Sequence, residues 1–279
     1  MVTTKNRFLH YGLFVFLFIL AILFISPIFL IFMNSFKGKL FISDNLFSLP
    51  NAETFAGIEN YVRGIEIVDF WSAFSYSLFI TVFSVGVIVL FTAMTAWYIA
   101  RVKAIFTSFL YYLFIFSMIV PFQMVMYTMP WFANRLHLDN PLGIILIYLG
   151  FGTGLSVFIF TGFIKSIPKE IEEAAIIDGC GPIRAFFHVV LPLLKPILIT
   201  VAILNAMWIW NDFLLPYLLL GTEYKTIPIA IQYLQGSYGS TDYGALMALL
   251  VLAVIPVIIF YLLGQKYIIR SITAGAVKG

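Results

Sequence analysis

Residues 167–196 read IPKEIEEAAIIDGCGPIRAFFHVVLPLLKP, and the organisation of the chain turns on this run. It carries four of the thirteen acids, Glu170, Glu172, Glu173 and Asp178, yet lies between two long apolar spans. Pro168 suits the first position of a helix, where its missing N–H costs nothing. The glutamates then sit in the first turns, where a helix N-terminus favours negative charge. Ile171, Ala174, Ala175 and Asp178 fall at helical spacing on one side. Gly179 and Gly181, followed by Pro182, predict a sharp stop. A second helix restarts with Ile183, Phe186, Phe187 and Val190 as one apolar stripe, and Pro192 and Pro196 lead into the next span. The expected form is helix, tight turn, helix. Two readings fit it: an amphipathic interfacial hairpin that links two spans, or a docking helix for a cytoplasmic partner, with small alanines allowing close approach beside acids.

The surroundings of this island set the class. The chain is 62% hydrophobic, 18% aromatic and only 10% charged, with a mean hydropathy of +1.03, whereas a soluble domain carries about 25% charge. A helix needs about 20 apolar residues to cross a bilayer core, and six windows qualify: about 11–33, 70–100, 106–129, 142–164, 197–220 and 245–264. The runs are continuous rather than alternating in roughly ten-residue units, which argues against a β-barrel. The expectation is an all-α membrane protein, a single domain over 1–279, with a cytoplasmic loop at 165–196 and a tail at 265–279. The one cysteine, Cys180, excludes an intrachain disulfide, and three scattered histidines show no metal-ligand spacing. The net charge of +3 implies no nucleic acid.

Six spans put both ends on one side. Lysine and arginine in short loops mark the cytoplasm, and Lys5, Arg7, Arg101, Lys103, Lys165, Lys169, Arg184, Lys195, Lys266, Arg270 and Lys278 share the side of the termini. Lys37, Lys39, Arg63, Arg135 and Lys225 lie opposite. Both termini and the island are therefore expected in the cytoplasm of a multi-pass cell-membrane protein. The longest polar stretch between spans, Asn34 to Asp69, is outside.

The segment EEAAIIDGCGPIRAFFHVVLPLLKP resembles the EAA loop of ABC-importer permeases: E-A-A, three residues, G, then a nine-residue gap to I/L-x-L-P. The matching residues are Glu173, Ala174, Ala175, Asp178, Gly179 and Leu191-Pro192. Pro121-Phe122-Gln123, Trp210-Asn211-Asp212-Phe213 and the end Thr273 to Gly279 agree with the carbohydrate branch, similar to the smaller permease subunit of the maltose transporter. Cys180 departs from the alanine usual there, a small-for-small change. The resemblance implies a type I (MetI-like) permease core with an EAA coupling helix. Glu172, Glu173, Ala174, Ala175, Asp178, Gly179 and Gly181 would dock the ATPase, and Thr273, Gly275 and Lys278 would lie along the ATPase dimer interface. It also implies a second homologous permease as heterodimer partner, two ATPase subunits and an extracellular solute-binding protein. ATP and Mg would be held by the ATPase. This chain has no G-x-x-x-x-G-K-[ST] phosphate loop, so no cofactor of its own and no enzymatic activity are expected.

Asp212 is the only acid within a predicted span. A charge at that depth faces a cavity or a partner. With Asn205, Trp210, Asn211 and the Gln123 beside Pro121, it forms a candidate translocation pathway, since aromatic faces beside amides and a carboxylate suit a sugar. Bundle packing explains the same residues equally well. An ion-coupled secondary carrier using Asp212 is the alternative function.

Overall fold

The computed structural model describes residues 4–234 and 241–276, with side chains described for 10–234 and 241–266. Its long apolar runs wind into helices, because only helices satisfy the backbone of a run lying in hydrocarbon. In chain order these are α1 (Thr4–Asn34), α2 (Lys39–Ile42), α3 (Glu59–Val68), α4 (Phe70–Arg101), α5 (Ile105–Ile119), α6 (Thr128–Arg135), α7 (Gly143–Ile164), α8 (Glu170–Ile177), α9 (Pro182–Ala185), α10 (Leu191–Leu193), α11 (Lys195–Asn211), α12 (Leu214–Leu220), α13 (Ile227–Gln232) and α14 (Tyr243–Ala276). No strand forms among the described residues; a lone antiparallel bridge pairs Lys37 with Phe55.

Among the described residues, α1, α4, α7 and α14 are each long and apolar enough to cross a membrane, and the island's second half with α11 makes a fifth candidate bent by 80°. The sequence reading of six uninterrupted spans therefore needs two corrections. Its third span, 106–129, ends as a helix at Ile119, because Val120 is extended (φ −74°, ψ 110°) before Pro121, and proline excludes the helical conformation from the residue preceding it. Its fifth span, 197–220, breaks at Asp212 (φ −73°, ψ 121°), after which α12 restarts. The sixth helix instead runs past 264 to Ala276, so the backbone of the tail is helical to that residue. Lys278 lies outside the described residues, as does the side chain of Thr273, and Gly275 is described by its backbone alone.

The chain forms two compact units. The first comprises Met1–Phe70 and Ala230–Ile255. Here α3 lies against the first turns of α14, where Gly244 and Gly64 leave room for Asn60 and Leu249. The Asn60 amide donates to the Ser35 and Lys37 carbonyls at 2.8 and 2.7 Å. The Arg63 guanidinium donates to the Asp242 carboxylate at 2.8 Å. Burial pushes the Asp242 pKa up, but the Ala245 N–H and Arg63 outweigh it and hold the carboxyl below its ordinary value. Lys37 is fully enclosed and donates to the Asn45 carbonyl at 2.6 Å, and burial lowers its pKa.

The second unit comprises Trp71–Ile229 and Pro256–Gly279. One core joins Ala93 and Ala96 of α4, Val157, Phe160 and Ile164 of α7, Phe186, Val190 and Leu194 of the island, and Ile197 and Val201 of α11. A second joins Ile80 and Ile88 of α4, Ala133 of α6, Ile144 and Tyr148 of α7, Ile209 of α11, and Leu215, Leu219 and Leu220 of α12. The side chain of Asn140 accepts from the N–H groups of Leu142 and Gly143, both at 3.0 Å, which opens α7.

Candidate docking site and the break in the fifth span

The island folds as helix, turn and helix. The first helix, α8, opens at Glu170, so Pro168 precedes it rather than taking its first position, and Glu170, Glu172 and Glu173 stand in the first turn. Gly179 (φ +84°) makes the turn. A Cβ at Gly179 would meet nothing within 4 Å. A side chain there costs the left-handed backbone alone, about 1–2 kcal/mol.

After α9 the chain winds as a π-helix over Phe186–Val190. Pro192, two residues on, cannot donate to a carbonyl four residues back, and the wider turn accommodates that loss. The π turn also alters which side chains face inward. The sequence grouped Ile183, Phe186, Phe187 and Val190 on one stripe by α-helical period. The structure divides them: Phe186 and Val190 are buried, while Ile183 and Phe187 are 71% and 40% exposed.

The side of α8 carrying Ile171, Ala174 and Asp178 faces outward, with Ala175 half-buried. Glu173, Gly179 and Gly181 are exposed, as are Ile176 and Ile177, the latter to 85%. Beside the turn lies an open apolar hollow of about 560 Å³, lined by Gly181, Pro182, Ile183, Arg184, Phe187 and His188. Glu172 points the other way and is the one buried residue of α8. Its Oε1 accepts from Arg101 Nη2 at 2.7 Å and Nε at 3.0 Å, and its Oε2 accepts from the indole N–H of Trp97 at 2.9 Å. Sequence reasoning grouped Glu172 with the docking residues and gave no role to Trp97. The available signal was the spacing of Trp97 and Arg101, four residues apart at the C-terminal end of α4, where both reach one acid.

The predicted pathway residues are not gathered in one opening. Asn205 is buried and donates to Ser156 Oγ at 3.1 Å and the Val201 carbonyl at 2.9 Å. Trp210 is buried, its ring edge-on to Phe74 at 5.8 Å. Asn211 and Gln123 are exposed, and the Asn211 amide donates to the Met207 carbonyl at 2.7 Å. Asp212 sits at the break. Its Oδ2 accepts from Tyr148 Oη at 3.0 Å, and its Oδ1 accepts from the N–H groups of Leu214 and Leu215 at 3.1 and 3.4 Å. The carboxylate thus caps α12 and satisfies a buried tyrosine. The ring of Tyr148, fully buried, meets Trp208 edge-on at 5.4 Å, so α7 and the break are joined by one small cluster.

Losing the acceptors should matter more than losing the charge. Asp212→Ala removes a cap, about 1 kcal/mol, and strands a buried hydroxyl, about 1–3 kcal/mol. It should cut the yield of folded protein severalfold. Asp212→Asn keeps an acceptor for the cap and should retain most uptake, as measured with radiolabelled sugar in whole cells. A carrier that protonates Asp212 would lose all uptake with asparagine there.

The sequence pattern of the family described as "Binding-protein-dependent transport system inner membrane component" matches residues 89–274. The chain is 41% identical over 261 residues to the "Probable starch degradation products transport system permease protein AmyC" of Thermoanaerobacterium thermosulfurigenes, covering 93% of this chain and 94% of that one. It is 35% identical over 268 residues to the "Multiple sugar-binding transport system permease protein MsmG" of Streptococcus mutans, covering 92% and 93%. The fold is similar to that of a chain in the "Crystal structure of a bacterial ABC transporter involved in the import of the acidic polysaccharide alginate", with a TM-score of 0.76 and 24% identity over 96% of this chain and 99% of that chain.

Proposed function

The chain belongs to the family of binding-protein-dependent transport system inner membrane components, and from that premise we propose that it forms half of the translocation pathway of an ATP-driven sugar importer. Oligosaccharides are the substrate class. This chain docks a separate ATPase through α8 and the turn at Gly179, and ATP and Mg are bound by that ATPase. A second homologous permease completes the pathway, a second ATPase completes the motor, and an extracellular solute-binding protein delivers the sugar. The protein lies in the cell membrane with both termini in the cytoplasm.

One observation carries the docking assignment: α8 exposes every residue except Glu172 and Ala175. A free-standing hairpin would turn its apolar residues inward, yet Ile171, Ile176, Ile177 and Ile183 all face out. Apolar side chains rimmed by Glu170, Glu173 and Asp178 suit a protein cleft with basic edges. The 80° bend into α11 allows the hairpin to lie along the membrane face while α11 enters the bilayer. The apolar window of α1, none of which is buried in this chain, is left for lipid and for the second permease.

The test is the energy source. This chain is assembled in vesicles with the second permease, the ATPase and the binding protein. Sugar should accumulate when ATP is supplied on the ATPase side and not when a proton or sodium gradient is imposed without ATP. Gradient-driven accumulation without ATP would contradict the proposal.

A further inference from the structure

The geometry points to Glu172, Arg101 and Trp97 as the latch through which movement of the docking helix reaches the membrane bundle. This rests on the reading of α8 as the docking element and adds to it the route that force takes inward. No apolar side chain of α8 is fully buried and only Ala175 is half-buried, so packing fastens it weakly; Glu172 is its one buried residue. Arg101 holds Glu172 with two nitrogens, and its Nη2 also donates to the Ile167 carbonyl at 3.1 Å, at the entry to the island. Trp97 donates to the other carboxylate oxygen, and its ring lies 5.5 Å from that of Phe186 in the island's second half. The inner end of α4 thus grips the segment before α8, α8 itself and the π turn.

The bridge is enclosed, with the Arg101 and Glu172 side chains only 14% and 9% exposed. A two-nitrogen guanidinium contact fixes orientation as well as distance, and water screens a shielded pair less than an exposed one. Such a joint transmits displacement where an exposed pair would slip. From it α4 runs through both cores of the second unit. Ala93 and Ala96 lie in the core shared with the island, and Ile80 and Ile88 lie in the core shared with Tyr148, Ile209 and Leu215, around the Asp212 break. Glu172 and Arg101 are positioning residues: they touch no substrate and act through α4. A swing of α8 would be passed along α4 to the break between α11 and α12.

The experiment uses the full complex in vesicles and reads ATPase attachment, ATP hydrolysis and sugar uptake together. In a Cys180→Ser background, the Arg101→Cys/Glu172→Cys chain should bind the ATPase and hydrolyse ATP within about twofold of the parent. Its uptake per ATP should fall about tenfold. A short bis-methanethiosulfonate linker joining the two cysteines should restore uptake per ATP, and reduction should abolish it again; a merely structural role would not follow the linker. Glu172→Gln, which keeps the shape, serves as the second variant should the double substitution fail to assemble, with the same uncoupling expected. Unchanged uptake per ATP in either variant overturns the latch. Loss of ATPase attachment also overturns it, placing Glu172 in the docking contact itself and leaving the docking reading intact. Failure of the docking reading would appear separately, as normal ATPase attachment in a chain carrying Glu173→Lys.

Discussion

Glu173→Lys is expected to abolish sugar uptake and release the ATPase from the membrane while the chain still inserts at its normal level. Glu173 is exposed on α8, one position along from Glu172 and turned away from the bundle. Among the described residues its side chain makes no hydrogen bond or ion pair, and surface substitutions of that kind change folding stability by roughly 0.5 kcal/mol or less. At an interface the same change is severe. Once the ATPase encloses the pair, removing one member of such a buried, hydrogen-bonded charge pair costs about 2–5 kcal/mol, and about 1.4 kcal/mol is tenfold in affinity. Reversing the charge adds repulsion, so attachment should weaken by about 30-fold or more. Sedimentation of the ATPase with membrane vesicles measures attachment, and labelled sugar measures uptake. Full uptake with lysine at 173 would rule out the docking role.

The second large effect is in the bundle. Gly154→Leu is expected to reduce folded, transport-competent protein about tenfold, whereas Gly150→Leu should be nearly silent. A Cβ at Gly154 would stand 2.7 Å from the Phe114 carbonyl oxygen, from Ser117 Oγ and from Met118 Cγ. A backbone oxygen cannot yield unless all of α5 moves away from α7. Overpacking of this kind costs about 1–3 kcal/mol when side chains can adjust, and here the obstacle is main chain. At Gly150 a Cβ meets nothing within 4 Å, and a leucine there would enter the open apolar hollow that Leu113, Phe116 and Ile147 line. Size-exclusion profiles of the detergent-extracted chains separate the two outcomes. Equal profiles would contradict the packing described here.

That pair shows what a sequence can and cannot convey. Gly150 and Gly154 form a small-xxx-small spacing, which signals close helix packing; the close approach is present at Gly154 and absent at Gly150. A second close approach on α7 is at Gly152, whose absent side chain admits Ile88 and Asn205 on a different face. Spacing reports that two helices approach, but not which turn of each carries the contact. The island was legible because four acids between apolar spans have few places to go, and the positive φ of Gly179 follows from the chemistry of the turn. The inward direction of Glu172 was not legible: three glutamates within four residues look alike until the fold brings Arg101, 71 residues away, against one of them. The π turn was hidden for a related reason. Pro192 signals a local fault, yet the register shift that buries Phe186 and exposes Phe187 depends on which turn absorbs it. Asp212, a lone acid in an apolar run, reads from sequence as a pathway charge or as bundle packing. Its hydrogen bonds to Tyr148 and to the start of α12 satisfy the carboxylate within the chain.

The central claim is that a partner ATPase grips the chain at the tip of α8. The most direct measurement places a cysteine at Ile177, the most exposed apolar residue of that helix, in a Cys180→Ser chain, and applies a short thiol cross-linker to the assembled complex. The account predicts an adduct with the ATPase whose yield changes when nucleotide is added, and no labelling of residue 177 by an impermeant maleimide outside intact cells. Labelling from outside, or capture of the ATPase from other inner loops but never from residue 177, would contradict it.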